Sequence, residues 1–250
     1  GMGTPEEFAE NALRAVKEGY TALKFDLTQT DEKGVCMGFV RVGGLQSAEV
    51  LNRVESRMAA IREAVGPDID ILIENHGQTD TAAALQMAKR LEKYHPFAYE
   101  EPSYPSGEIT GNIAQQTGLP LAHGERLYNR WQFLPMLQSG ALQLAQPDLG
   151  TCGGITEGKK ICDLAQAYDC GVQLHICASN LSIAPALHLE TAIPNFTIHE
   201  HHVLFLQEDN KKLVRYDYQP VNGYYEVPDL PGLGNEWSDY AFSIAADYAT

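Results

Sequence analysis

Residues 69–76 read Ile69-Asp70-Ile71-Leu72-Ile73-Glu74-Asn75-His76. A short run rich in β-branched residues, apolar on successive positions, suits a strand buried on both faces of a parallel sheet. Two ionisable side chains close it. Before it, Val50, Leu51, Val54, Met58, Ile61 and Val65 form a helical stripe that Gly66-Pro67 interrupts. After it, residues 82–94 return to helical spacing. The unit is therefore helix, strand, helix, and the same alternation runs along most of the chain.

Towards the N-terminus, Thr4 is a fitting N-cap, Pro5 fits the first helical position and Glu7 completes a capping box. Phe8, Ala12, Ala15 and Val16 follow at helical spacing, and Gly19 ends the run. Strands are expected at 21–27, 69–74, 97–101, 119–125, 142–148, 172–175 and 196–200. Helices are expected at 109–117, 131–137, 155–168 and 183–192, and a long loop with four glycines at 28–46. Strands alternating with helices imply a parallel sheet. The fold expected is a TIM-type (β/α) barrel with seven strands in this chain, its first strand lying upstream of residue 1. Residues 1–202 would form the barrel domain. Residues 203–250 would form a C-terminal extension, with a hairpin at 216–227 turning on Asn222-Gly223 and an irregular stretch at 228–234.

Composition narrows the function. The 250 residues suffice for one large barrel domain, and no stretch is long and apolar enough to span a bilayer. The formal charge of −15 argues against nucleic acid and against anionic membranes as partners. It leaves room for an anionic small molecule if a bound cation sets the local field. The five cysteines are odd in number and lack a Cys-x-x-Cys pair, which reads as reduced thiols in a cytoplasmic protein. No signal peptide is visible at the N-terminus.

The residues that close the strands carry the chemistry. They are Lys24 and Asp26, Glu74 and His76, then Glu100, Glu125, Asp148, His175 and Glu200. From Glu74 the intervals are 26, 25, 23, 27 and 25 residues, one βα unit each. In a barrel the C-terminal strand ends meet at one face, where active sites lie. Any one of these carboxylates would ordinarily be a solvated strand-end residue. Six successive strands closing on ionisable groups point to a site. Three clustered carboxylates would repel one another and resist ionisation unless a cation offset them. All-oxygen ligation suits Mg²⁺ better than zinc.

Several short motifs recur in order. They are Leu23-Lys24-Phe25-Asp26, Glu74-Asn75-His76-Gly77, Tyr99-Glu100-Glu101-Pro102, His123-Gly124-Glu125-Arg126 and Gln146-Pro147-Asp148. Gly153-Gly154-Ile155-Thr156, Leu174-His175, Ile198-His199-Glu200 and Pro231-Gly232-Leu233-Gly234 complete the set. With these motifs the chain resembles the mandelate racemase / muconate lactonising branch of the enolase superfamily, and within it the acid-sugar, galactonate-type dehydratases. The resemblance runs from about residue 4 to 234.

The resemblance implies a role for each matching position. Glu74, Glu100 and Glu125 would ligate one Mg²⁺, position 74 being more usually Asp in the family. Asp148 and His175 would form a His–Asp dyad with His175 as base. Glu200 would hydrogen-bond the substrate carboxylate or enolate. His76 would be the general acid. Lys24 would offset charge on the substrate carboxylate, while Asp26 and His123 would contact substrate. The other histidines near Glu200, namely His199, His201 and His202, are expected to be mostly structural or solvated. The family also carries an N-terminal capping domain, expected to lie outside this chain, and is commonly homo-oligomeric.

The expected reaction is removal of the proton α to a carboxylate, then loss of the β-hydroxyl, giving a 2-keto-3-deoxy sugar acid. The α-proton is weakly acidic, so charge stabilisation is the main catalytic need. Racemases of this branch usually carry Lys-x-Lys at the second strand. Here the motif is Lys24-Phe25-Asp26, which removes the second base and favours dehydration. An epimerase or cycloisomerase of the same superfamily is the alternative. A metal-dependent hydrolase and a non-catalytic barrel are further options.

Overall fold

A computed structural model of the chain describes residues 2–38 and 43–247. Residues 39–42 of the expected long loop and residues 248–250 of the tail lie outside the described residues. Among the described residues there are six strands: β1 (Ala22–Asp26), β2 (Asp70–Glu74), β3 (Ala98–Glu100), β4 (Leu121–His123), β5 (Leu142–Ala145) and β6 (Gly171–Val172). They form one sheet in the order β1-β2-β3-β4-β5-β6. The pairs β1–β2, β2–β3 and β3–β4 are parallel.

Contacts divide the chain into two units, Gly1–His123 with Pro135–Leu144, and Gly124–Leu134 with Ala145–Thr250. In the first, the helix Pro5–Lys17 begins with the expected capping box: Glu7 N–H donates to Thr4 Oγ1, and Thr4 N–H donates to Glu7 Oε2. Phe8 and Ala12 from this helix, Val54, Met58 and Ile61 from Ala48–Val65, and Met87 and Leu91 from Thr81–Leu91 pack on Leu23, Phe25, Ile71, Ile73, Tyr99 and Leu121. A strand alternates its side chains between faces, so these odd-numbered residues look towards the helices. The even-numbered Leu72, Ala98 and Ala122 cluster with Leu144 on the other face. Lys24, Asp26, Glu74 and Glu100 share that parity and emerge beyond the same layer.

One helical residue breaks the apolar stripe. Arg57 lies between Val54 and Met58 and is fully buried. Its guanidinium donates to the carbonyls of Gly3, Leu27, Thr30 and Asp31 at 2.7–3.2 Å. It therefore ties the turn after β1 to the segment ahead of the first helix.

In the second unit, Ile155–Gln166 and Ile183–Thr191 each bury apolar side chains, among them Ile161, Cys162, Ala184 and Leu187. The expected seventh strand at 196–200 shrinks to a single parallel bridge between Phe196 and Val172. Further along, the Ile176 N–H donates to the Glu200 carboxylate and not to a backbone carbonyl. The expected hairpin also shrinks. Asn222 and Gly223 have φ of 51° and 78°, as a tight primed turn requires, yet only Val221 and Tyr224 pair across it. Upstream, Tyr216 and Arg215 bond instead to Asn235 and Glu236. A helix at Asp239–Asp247, which the sequence reading did not expect, closes the described chain.

Candidate active site

Three site residues of the first unit lie in one register row. Asp26 is paired with Glu74, and Glu74 with Glu100. Glu74 and Glu100 are almost fully buried. Lys24, one alternation earlier, places Nζ 2.7 Å from Glu100 Oε1 and 3.3 Å from Glu74 Oε2. So the strand periodicity, and nothing more elaborate, brings two carboxylates and an ammonium together.

The chain then leaves β2 through a left-handed turn, with φ of 51° at His76 and 66° at Gly77. A non-glycine residue rarely adopts this region, and such strain tends to persist where the surroundings hold it. Here the His76 N–H donates to Glu74 Oε1 at 2.7 Å, and His76 Nδ1 lies 2.8 Å from Asp26 Oδ2. Behind the turn, Asn75 Nδ2 donates to Thr79 Oγ1 at 2.9 Å and to the Tyr99 hydroxyl at 2.5 Å, and Thr79 Oγ1 donates to the Pro102 carbonyl. Burial holds the Tyr99 phenol well above its ordinary range, so it serves this network as a neutral group.

The second unit holds the dyad. Asp148 caps the short turn Leu149–Cys152, its Oδ1 accepting from Gly150 N at 2.7 Å and Thr151 N at 3.0 Å. Its Oδ2 lies 2.7 Å from His175 Nδ1. Burial works against ionisation of Asp148, but the His175 ring and the two backbone N–H groups outweigh it and hold the carboxyl below its usual value. The other ring nitrogen, His175 Nε2, is 3.4 Å from Glu125 Oε2. Arg126 Nη1 is bonded to Glu125 Oε1. Glu200 Oε2 accepts the Ile176 N–H at 2.8 Å, which fixes it beside His175 in the chain.

Two residues expected to contact substrate are buried or already hydrogen-bonded in the structure. His123, expected to touch substrate, is fully buried with its Nδ1 3.7 Å from Glu101 Oε1, and has no surface to offer a ligand. Asp26, expected to do the same, spends Oδ1 on Thr28 N, Thr28 Oγ1 and Gln29 N and Oδ2 on His76. The histidines around Glu200 are structural: His199 Nδ1 lies 2.6 Å from Glu190, His201 Nδ1 lies 2.6 Å from the Tyr225 hydroxyl, and His202 Nδ1 accepts the Leu204 N–H. Burial, with His199 and His202 nearby, pushes His201 down to about 4. The five cysteines are free thiols.

Residues 7–241 match the family described as Enolase C-terminal domain-like. The chain belongs to that family. Its fold is accordingly the (β/α)-barrel domain of the enolase superfamily. The chain is 34% identical over 203 residues to a D-galactonate dehydratase of Ralstonia nicotianae, covering 79% of this chain and 53% of that protein. It is 33% identical over 236 residues to a D-gluconate dehydratase of Thermoproteus tenax, covering 94% of this chain and 45% of that protein. It spans about half the length of these curated relatives. Among solved structures, a member of the enolase superfamily from Salmonella Typhimurium is 46% identical with a TM-score of 0.93, covering 97% of this chain and 62% of that one. The motifs quoted from the sequence thus identified the right superfamily.

Proposed function

We propose that this chain carries the catalytic residues of a sugar-acid dehydratase that works with one divalent cation, Mg²⁺. The observation that carries the reading is the dyad: His175 Nδ1 sits 2.7 Å from Asp148, and Nε2 faces a carboxylate of the candidate ligand set at 3.4 Å. The two dehydratases among its relatives supply the substrate class. The donor chemistry fits the cation: within the proposal Glu74, Glu100 and Glu125 would hold it, and all three offer oxygen alone. When bound, the cation would offset negative charge developing on the substrate carboxylate.

The protein's own groups do the rest. His175 takes the α-proton at Nε2, while Asp148 keeps the ring oriented and stabilises its charged form. The electrons of the broken C–H bond form a carbon–carbon double bond as the bond to the β-oxygen breaks. His76 delivers a proton to that oxygen, which leaves as water. The enol so formed tautomerises to a 2-keto-3-deoxy acid. Glu200, which must carry a proton to donate, hydrogen-bonds the substrate carboxylate or enolate oxygen, and Lys24 offsets the charge of the substrate carboxylate. Two buried carboxylates within 3.3 Å hold Lys24 as an ammonium ion, which suits charge stabilisation and disfavours a second base. Within the proposal, residues 1–202 are the catalytic domain and 203–250 an extension. The protein is taken as cytoplasmic, in keeping with its free thiols, and as a homo-oligomer. Among the described residues no helix is long and apolar enough to cross a membrane.

The test is a panel of sugar acids incubated with the full-length protein and Mg²⁺ in deuterated water, followed by NMR. Wild type should release a 2-keto-3-deoxy acid from at least one of them. His175→Asn should stop α-proton exchange. His76→Asn should slow product formation by about 10²–10⁴-fold while exchange continues. Recovery of epimerised sugar acid alone would replace dehydratase with epimerase.

A further inference from the structure

Asp148 and Asp26 are built alike. Each closes or follows a strand. Each gives Oδ1 to backbone N–H groups of the next turn, Gly150 and Thr151 in one case and Thr28 and Gln29 in the other. Each gives Oδ2 to a histidine Nδ1, at 2.7 Å and 2.8 Å. The Asp26 side chain is only 6% exposed, so it has little surface left for a ligand, whereas the His76 side chain is 23% exposed. Arg57 then fixes the same turn from beneath through the Leu27, Thr30 and Asp31 carbonyls.

We infer that Asp26 is a positioning residue for His76, forming a second His–Asp dyad whose task is to keep the hydrogen on Nδ1 and make Nε2 the atom that transfers the proton. This rests on the role proposed above for His76. The hydrogen bond fixes the ring's rotation about its last side-chain bond, and it fixes which nitrogen keeps its hydrogen once the other has given one up. The left-handed turn at His76 and Gly77 aims the ring at Asp26. The Asn75–Tyr99–Thr79 network keeps that turn in place.

The donors at Thr28 and Gln29 make Asp26→Asn an informative change. Both N–H groups require an oxygen at the inner position, so an introduced amide must turn its NH₂ towards His76. Nδ1 must then accept, and the neutral ring is forced into the Nε2–H tautomer. Transfer of the Nε2 proton from that ring would leave an imidazolate, which is unfavourable. Swapping the carboxylate of a His–Asp dyad for an amide is known to cost about 10⁴-fold through the wrong tautomer.

The experiment uses the full-length enzyme with ¹⁵N-labelled histidine, the His76 signals being assigned by their loss in His76→Asn. Wild type should show His76 with its hydrogen on Nδ1. Asp26→Asn should show it on Nε2, with kcat for 2-keto acid formation lowered by about 10²–10⁴-fold, KM altered less than about threefold, and Mn²⁺ affinity unchanged. Asp26→Ala should give mixed tautomers and an intermediate rate. The inference is overturned if His76→Asn is inactive while Asp26→Asn keeps both rate and tautomer. It is equally overturned if Asp26→Asn lowers Mn²⁺ affinity and thermal stability without shifting the tautomer, the mark of a merely structural residue. If His76→Asn retains wild-type product formation, the acid role itself fails, and that outcome is visible without reference to Asp26.

Discussion

Replacing Arg57 with Met tests how the catalytic strand β1 is anchored. The side chain is fully buried and donates five hydrogen bonds to four backbone carbonyls. Methionine keeps an aliphatic stem but removes every donor, together with the guanidinium that lies over the Phe8 ring. The carbonyls of Gly3 and Leu27 are buried at these bonds, so both lose their partner away from water. Thr30 and Asp31 are partly exposed and can turn to solvent. A stranded buried acceptor costs about 1–3 kcal/mol, so the two together cost about 2–6 kcal/mol. Relief from desolvating a guanidinium, whose burial already lowers its pKa, offsets part of this. A net loss of about 3 kcal/mol remains, which for a chain of this size lowers Tm by about 10 °C. Arg57→Lys should lose nearly as much, because one ammonium cannot reach a fork of carbonyls. Calorimetry and urea titration measure both. A Tm for Arg57→Met within 2 °C of wild type, on the order of 0.5 kcal/mol, would show that water replaces the guanidinium, and the anchoring argument would fall.

Asp148→Asn should destabilise the protein at neutral pH. Because the folded carboxyl titrates below its ordinary value, this contribution is complete above that value and fades as pH falls through the lowered one. Urea midpoints for wild type and variant should therefore differ above about pH 5 and converge in stronger acid; a gap that widens in acid would contradict this. Gly124→Ala should perturb the segment between His123 and Glu125, since an added Cβ would lie 2.4 Å from the Gln146 carbonyl. A stability loss of about 1–3 kcal/mol is expected, and an unchanged melting curve would mean that the strand end yields easily.

What the sequence made legible follows from periodicity. Intervals near 25 residues between strand-closing groups fixed the βα repeat, and alternation along the first strand put Lys24 and Asp26 on one face; the register that sets Glu74 and Glu100 beside them is seen in the structure. The pair Asp148–His175 was legible for the same reason. Features set by local turns were not. The strand expected at 196–200 shortens to one bridge because the Ile176 N–H goes to the Glu200 side chain and not to a facing carbonyl. The hairpin at 216–227 is confined to the Val221–Tyr224 pair while Tyr216 N–H bonds to Asn235, although the Asn222-Gly223 turn itself was correctly read. His123 shares the strand-end position of its neighbours, yet its burial against Glu101 depends on packing that spacing does not encode. Arg57 did leave a trace, a charge at an i+3 position inside the stripe Val54-Met58-Ile61, and such a residue must find backbone or acidic partners once buried. Asp26 left one as well. The strings Asp26-Leu27-Thr28 and Asp148-Leu149-Gly150-Thr151 both set a carboxylate just before N–H groups able to hold one of its oxygens. A carboxylate so held points its second oxygen in a fixed direction, and in both cases that oxygen meets a histidine. The departure from a second lysine at position 26 therefore does more than remove a base: it supplies the group that orients the acid.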